Sequence, residues 1–202
     1  MDAEQAPTRA AVLELRAERG VVEEAYDFLD EKRLLLAAEL LRQLDRYEVL
    51  SGVIRETTRA AREQLQAAVH RHGLQGLSVY PSLSLDSVHI EISRRNLMGV
   101  TLLETAAAMP EAASAPLAAY PSAEAESCRE AFRELFELSA QLAGISGNLY
   151  RLLTAYRSTE RRARALENVI LPEIEQSLNR MSTYLEEIDM EDAIRARTMQ
   201  RI

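Results

Sequence analysis

Residues 12–68 read VLELRAERGVVEEAYDFLDEKRLLLAAELLRQLDRYEVLSGVIRETTRAAREQLQAA, and their spacing decides the fold. Stepping alternately by three and four from Val12 lands on Leu15, Arg19, Val22, Tyr26, Leu29, Arg33, Leu36, Leu40, Gln43, Tyr47, Leu50, Ile54, Thr57, Ala61, Gln64 and Ala68. Twelve of these seventeen positions are apolar, the exceptions being Arg19, Arg33, Gln43, Thr57 and Gln64. That period of 3.5 belongs to a helix burying a narrow seam against another helix. A second seam runs through Leu135, Leu138, Leu142, Ile145, Leu149, Leu152, Tyr156, Thr159, Ala163, Leu166 and Ile170. A chain built mainly from two seams is built as a rod, which spaces partners or carries force and rarely does chemistry.

The first helix is expected to open near Thr8, a good N-cap, and to run without proline to about His70, where Gly73 and Gly76 stop it. About 62 residues at a rise of 1.5 Å make a helix of roughly 90 Å. Gly20 and Gly52 inside it each cost about 1 kcal/mol against Ala and point to close approach of a partner. From Gly76 the period changes. Val88, Ile90 and Ile92 alternate with His89, Glu91 and Ser93, the pattern of a half-exposed strand. The second short apolar run, LMGVTLLE at 97–104, completes a hairpin, and MPEAASAPLAAYPS at 109–122 reads as a loose loop. A second long helix follows from about Ser122 towards Arg201.

The predicted fold is therefore all-α dominated. It is a long antiparallel two-helix coiled-coil hairpin with a short β-hairpin insert in the middle, divided at 1–72, 73–121 and 122–202. The second seam is strict up to Ile170, then steps four and four to Ile174 and Leu178 before Met181, Leu185 and Ile188. This stutter locally unwinds a left-handed supercoil, and Pro172, which lacks an N–H, predicts a kink at the same place.

Composition narrows the function classes. The 202 residues hold no Trp, three Phe and seven Tyr, a thin aromatic supply for a globular core. A formal charge of -8 disfavours nucleic acid as the main partner, because phosphate contacts need surplus cations. Cys128 stands alone, so nothing requires an oxidising compartment; it reads as a small helix residue on or near the seam rather than a reactive thiol. The opening MDAEQAPTRAA carries early acids and no apolar stretch, unlike a secretory leader. No run approaches the eighteen or so apolar residues that span a bilayer. A soluble, cytosolic chain is expected.

Catalytic constellations are absent from the pattern. His70 and His72 face different ways on a helix, and neither they nor His89 sit at metal-ligand spacing with Cys or carboxylates. There is no phosphate-binding Gly loop or nucleophile elbow, so neither metal nor cofactor is expected. Arg19 and Arg33 on seam positions admit two accounts: register-setting pairs with Glu on the other helix, or side chains that snorkel to the rim. The second is the more ordinary and is preferred.

The tail carries more than a heptad. Residues 161–188 read RRARALENVILPEIEQSLNRMSTYLEEI. The basic pair Arg161 and Arg162, then Ala165, Leu166, Glu167 and Asn168, then the aliphatic Val169, Ile170 and Leu171 before Pro172, resemble a stretch of the D subunit of the V-type and archaeal A-type rotary ATPases. The run Asn96, Leu97, Met98, Gly99, Val100 is similar to that family's N-x-M-G-V segment. Residues 7–36, with a P-T-basic start and Lys32 and Arg33 later, resemble its opening helix. The three matches span both helices and the insert. Two departures are visible: the proline after Val100 is delayed to Pro110, and the ending EDAIRARTMQRI lacks the family's aromatic, Lys-rich close.

The resemblance implies a non-catalytic central rotor shaft of the central stalk. Its paired helices would enter the catalytic head formed by the A and B subunits. The F subunit of the central stalk and the funnel-shaped subunit above the membrane ring would be its other partners. It would couple ATP synthesis or hydrolysis to proton or sodium transport, in a cytoplasmic position peripheral to the membrane. Arg9, Arg16, Arg195, Arg197 and Arg201, near the paired termini, are then candidates for contact with acidic loops of the head. Two other architectures share the pattern. A prefoldin-like chaperone also joins long helices through β-hairpins, but with apolar tips where these ends are charged. A generic coiled-coil scaffold accounts for the heptads but not for A-L-E-N-x-x-x-P or N-x-M-G-V.

Overall fold

The structure, a computed structural model, describes residues 8–80, 88–108, 118 and 120–199. The order is helix α1 (Arg9–Ser78), strands β1 (His89–Leu97) and β2 (Val100–Ala108), helix α2 (Ala123–Ala165), a five-residue π turn (Leu166–Ile170) and helix α3 (Leu171–Met199). Two long helices thus flank an antiparallel hairpin, as the periodicities predict. The Thr8 hydroxyl accepts the Ala11 N–H at 3.1 Å to cap α1, and Ser122 caps α2 through Ala125 at 3.2 Å. Gly73, at φ 68° and ψ 165°, breaks the regular path of α1 where the sequence places its stop. Most of the expected loop at 109–122, and Arg201, lie outside the described residues.

Sixteen of the seventeen α1 seam positions are buried or half-buried; only Gln64 is exposed. The chain divides into two compact units.

The first unit comprises Met1–Leu35 and Tyr156–Ile202. Val12, Ile174 and Leu178 form its core, with Leu15, Val22, Met181 and Leu185 packed on them. Each fully buried aliphatic side chain of this kind contributes about 1.5–3 kcal/mol. Cross-helix pairs run in opposite senses, Arg9 with Asp189 at 2.9 Å and Arg19 with Glu175 at 3.3 Å, so the helices are antiparallel. Arg19 leaves the seam for the rim, where it also meets Glu23 at 2.9 Å, and so combines both accounts of a seam arginine. Arg33 pairs with Asp30 one turn earlier on its own helix.

The π turn revises the reading of the C-terminal seam. The Leu171 N–H bonds to the Leu166 carbonyl, five residues back. The seam therefore steps from Leu166 to half-buried Leu171, while Ile170 turns outward, 36% exposed. From Leu171 it resumes through Ile174, Leu178, Met181 and Leu185 in strict three-and-four alternation. The two fours in the sequence are thus one inserted residue absorbed locally, with the heptad intact on both sides. Pro172 follows the π turn inside a continuous helical path, so the carbonyl that its missing N–H would have met belongs to the widened turn rather than to a regular ladder.

The second unit is Leu36–Ala155. Leu36, Leu102, Leu152 and Asn148 are its largest fully buried side chains. Val49, Leu50 and Val53 of α1 line a groove with Gln141 and Ile145 of α2, and His72 meets Ser122; these helices too are antiparallel. β1 and β2 pair with Leu97 opposite Val100 and His89 opposite Ala108. β1 is exposed on both sides as far as Asn96. Ile90 and Ile92 are 56% and 53% exposed, whereas Val100 and Leu102 of β2 are buried. The alternation identifies a strand correctly, but the ribbon meets the helices chiefly through β2 and the polar contacts described below.

Candidate functional site

The ribbon is held on the helices by side chains that act as substitutes for strand or helix groups. Asn148 on α2 is 2% exposed. Its amide accepts the Leu103 N–H at 2.8 Å and donates to the Leu103 carbonyl at 2.7 Å. This two-point pairing satisfies the inner edge of β2 in the way a third strand would. One turn earlier, Gly144 leaves room for Thr105; a methyl at Gly144 would overlap the Thr105 hydroxyl. That hydroxyl donates to the Ala140 carbonyl at 2.7 Å. Ala140, Gly144 and Asn148 recur every four residues and form one docking stripe on α2. No partner comes within 4 Å of a Cβ built at Gly20 or Gly52; the close approach expected there occurs at Gly144 instead.

On the α1 side, Glu39 is buried. It accepts from Arg42 at 2.8 and 3.0 Å, from Gln43 at 2.8 Å and from Arg95 of β1 at 2.7 Å. Burial alone raises a carboxyl pKa, but the hydrogen bonds from Arg42 and Gln43 and the charges of Arg42 and Arg95 outweigh it. The Glu39 carboxyl is held below its ordinary value. A longer pair, Arg46 with Glu104 at 3.7 Å, adds a second tie from α1 to the ribbon.

The turn explains the N-x-M-G-V residues. Met98 has φ 48° and Gly99 φ 84°, the paired positive angles of the tight turn that suits strand twist. The Asn96 side chain accepts the Gly99 N–H at 3.1 Å, and Val100 starts β2 as a buried anchor. Ala165, Leu166, Glu167, Asn168 and Pro172 mark the π turn and its exit. Glu167 and Asn168 are exposed and Leu166 is half-buried. Both motifs therefore occupy places where the backbone departs from regular geometry.

Of the candidate arginines, Arg9, Arg16, Arg195 and Arg197 lie in the first unit. Arg9 grips both oxygens of Asp189 at 2.9 Å. Arg195 pairs along its own helix with Glu191 at 3.2 Å and Asp192 at 3.7 Å. Arg16 and Arg197 are exposed and have no ion-pair partner among the described residues. Arg201 is outside them.

Beyond the break at Gly73, Tyr80 donates to Glu126 at 3.0 Å and lies under the Arg129 guanidinium at 5.5 Å. Burial pushes the Cys128 thiol above its ordinary pKa, consistent with a packing residue. Among the described residues no group of three His, Cys, Asp or Glu side chains could hold a metal ion.

The sequence alone does not single out Asn148, Gly144 or Glu39. Their signal is faint: a glycine and an asparagine four apart beside the seam at Ile145 and Leu149, and an acid three and four residues before Arg42 and Gln43.

Comparison with known proteins covers the whole arrangement. The profile of the family described as the D subunit of ATP synthase matches residues 11–201. The V-type ATP synthase D subunit of Thermotoga neapolitana is 27% identical over 96% of both chains. The A-type ATP synthase D subunit of Thermococcus sibiricus is 29% identical over 97% of this chain and 93% of its own. The V-type ATP synthase D subunit of Anaeromyxobacter dehalogenans reaches 32% over 95% of this chain and 93% of its own.

Proposed function

The chain belongs to the family of ATP synthase D subunits, and from that premise we propose that it is the central rotor shaft of a V/A-type ATP synthase or ATPase. The family match over residues 11–201 carries this reading. The subunit is structural and not catalytic. It passes torque between a catalytic head and a membrane ring, so that ATP synthesis or hydrolysis is coupled to proton or sodium movement.

Physical features support the role. Each unit is a pair of antiparallel helices with a continuous seam, a construction that resists twisting. The π turn inserts one residue into one helix without interrupting the seam, an irregularity the facing helix lacks. A shaft turning inside three equivalent interfaces needs such asymmetry. The outer surface mixes exposed charges such as Arg16 and Arg197 with exposed apolar side chains such as Leu13, Val21 and Leu34, the kind of surface a surrounding head can hold.

The partners we propose are the A and B subunits of the head, the F subunit of the stalk and the funnel-shaped subunit above the ring. Within the head, Arg9, Arg16, Arg195, Arg197 and Arg201 would face acidic loops. Among the described residues no helix is long and apolar enough to cross a membrane; the position proposed is cytoplasmic, tied to the membrane through the ring subunits.

Native mass spectrometry of the purified chain mixed with the A and B subunits, with and without the F subunit, tests this. One copy held by three A and three B subunits, with one F added in its presence, is the expected result. A stable hexamer of its own with no binding to the head would favour a prefoldin-like chaperone instead.

A further inference from the structure

The ribbon has one finished edge and one open edge. Asn148 takes both backbone groups of Leu103, so these point away from β1. Leu103 faces Arg94 in the register, which makes Arg94–Leu103 a non-hydrogen-bonded pair, and by alternation Ile90–Ala107, Ile92–Thr105 and Asn96–Thr101 as well. The N–H and C=O groups of Ile90, Ile92, Arg94 and Asn96 therefore point outward from β1. Nothing among the described residues pairs with them.

The same residues share one face of the ribbon, where Ile90 and Ile92 are 56% and 53% exposed. Open backbone beside alternating apolar side chains is what a pairing strand recognises. A two-stranded ribbon is also marginal alone, and a third strand strengthens it. No proline or bulge guards residues 90–96; the strand carries Glu91, Arg94 and Arg95, of which only Arg94 lies on the isoleucine face. Arg95 and Glu104 are each tied to α1, while Arg94 has no carboxylate partner among the described residues.

We propose that β1 is a strand-addition site. In the assembled stalk an extended segment of another subunit pairs along residues 90–96, laying alternate apolar side chains over Ile90 and Ile92 and a carboxylate against Arg94. A second copy of this chain fits less well. Its own outward face, Ile90, Ile92, Arg94 and Asn96, offers no acid, and two-fold pairing centred on Ile92 sets Arg94 against Ile90. The proposal rests on the shaft reading for its partner, which must belong to the same assembly.

Residue-resolved hydrogen exchange, on the isolated chain and on the purified assembly, reads the pairing directly. The amides of Ile90, Ile92 and Arg94 should slow about tenfold or more on assembly. Those of Glu91, Ser93 and Arg95, already bonded to β2, should barely change. Ile92→Pro removes an outward donor and spares the bonds to β2; it should abolish the added protection at Ile90 and Arg94, and Arg94→Glu should reduce it. Unchanged exchange in an assembly that contains the chain overturns the proposal and leaves the shaft reading standing. Equal protection in the isolated chain also overturns it: a second copy covers the edge if protection rises with concentration, and the chain itself covers it if not. If the chain does not enter the assembly, both readings fall.

Discussion

The side-chain amide of Asn148 and the backbone of Leu103 exchange two hydrogen bonds, at 2.8 and 2.7 Å, so that a helix residue completes the inner edge of a strand. Asn148→Leu keeps the volume and removes both bonds, leaving the Leu103 N–H and C=O buried and unpaired. A loss of about 2–4 kcal/mol is expected in urea denaturation. The Leu103 amide should exchange faster even where the helices stay folded. A loss under about 0.5 kcal/mol, within the range of ordinary surface substitutions, would mean that the pairing contributes little.

Gly144 is the second anchor. Gly144→Ala gains about 1 kcal/mol of helix propensity but drives a methyl into the Thr105 hydroxyl. A net loss of about 1 kcal/mol or more is expected. Adding Thr105→Ala relieves the overlap, so the double variant should be more stable than the sum of the two singles by about 1 kcal/mol. Additive losses would place the strain elsewhere.

Glu39 sets an acid limit. Its folded pKa lies below the ordinary carboxylate value, so it contributes stability that is present above the unfolded pKa. That contribution is lost as pH falls through the folded pKa. Chemical denaturation across acid pH should show stability declining over that window. Glu39→Gln should be less stable near neutrality and should flatten this part of the profile; an unaltered profile would assign the decline to other carboxylates.

The π turn and Pro172 compensate one another. Deleting Val169 turns the five-residue step into an ordinary four and keeps the seam in phase, but it places Pro172 inside a regular helix. The deletion alone should cost about 3 kcal/mol. The deletion combined with Pro172→Ala should recover most of it, as measured by thermal denaturation. No recovery would mean that the inserted residue makes contacts of its own.

The arginines of the first unit are tested in the working assembly. Exchanging Arg9, Arg16, Arg195, Arg197 and Arg201 for Gln together should reduce rotation-coupled synthesis or torque several-fold, while the chain still assembles. Losing the Arg9–Asp189 pair should by itself shift stability by no more than about 1 kcal/mol, because both groups are exposed. Unchanged rotation would remove the proposed contact with the head.

Much of the architecture is legible in the sequence. Seam positions from Val12 to Ala68, the stop at Gly73 and the start at Ser122 follow from period, capping and backbone chemistry, whereas the apolar run at 97–104 hides the tight turn that Met98 and Gly99 make between the strands. Periodicity shows that Ile170, Ile174 and Leu178 lie off a strict heptad. It does not distinguish gradual unwinding from one inserted residue, because both produce the same spacing until a backbone hydrogen bond chooses. The outward placement of β1 is hidden for another reason. Ile90 and Ile92 carry the hydrophobic signal, yet the ribbon docks through Glu39 with Arg95 and Asn148 with Leu103, contacts between residues far apart in sequence. The candidate arginines are readable as charges near the termini. Their partners are not, apart from spacings such as Glu191 to Arg195.

The anchoring of β2 also imposes an order in time. Glu39 belongs to α1 and Asn148 to α2, so the ribbon holds both attachment points at once only when those helices are together. A free two-stranded hairpin is too weak to wait in finished form, and the helices gain their own burial without it. Release of the ribbon is a local event of smaller free energy than unfolding of the helix pair.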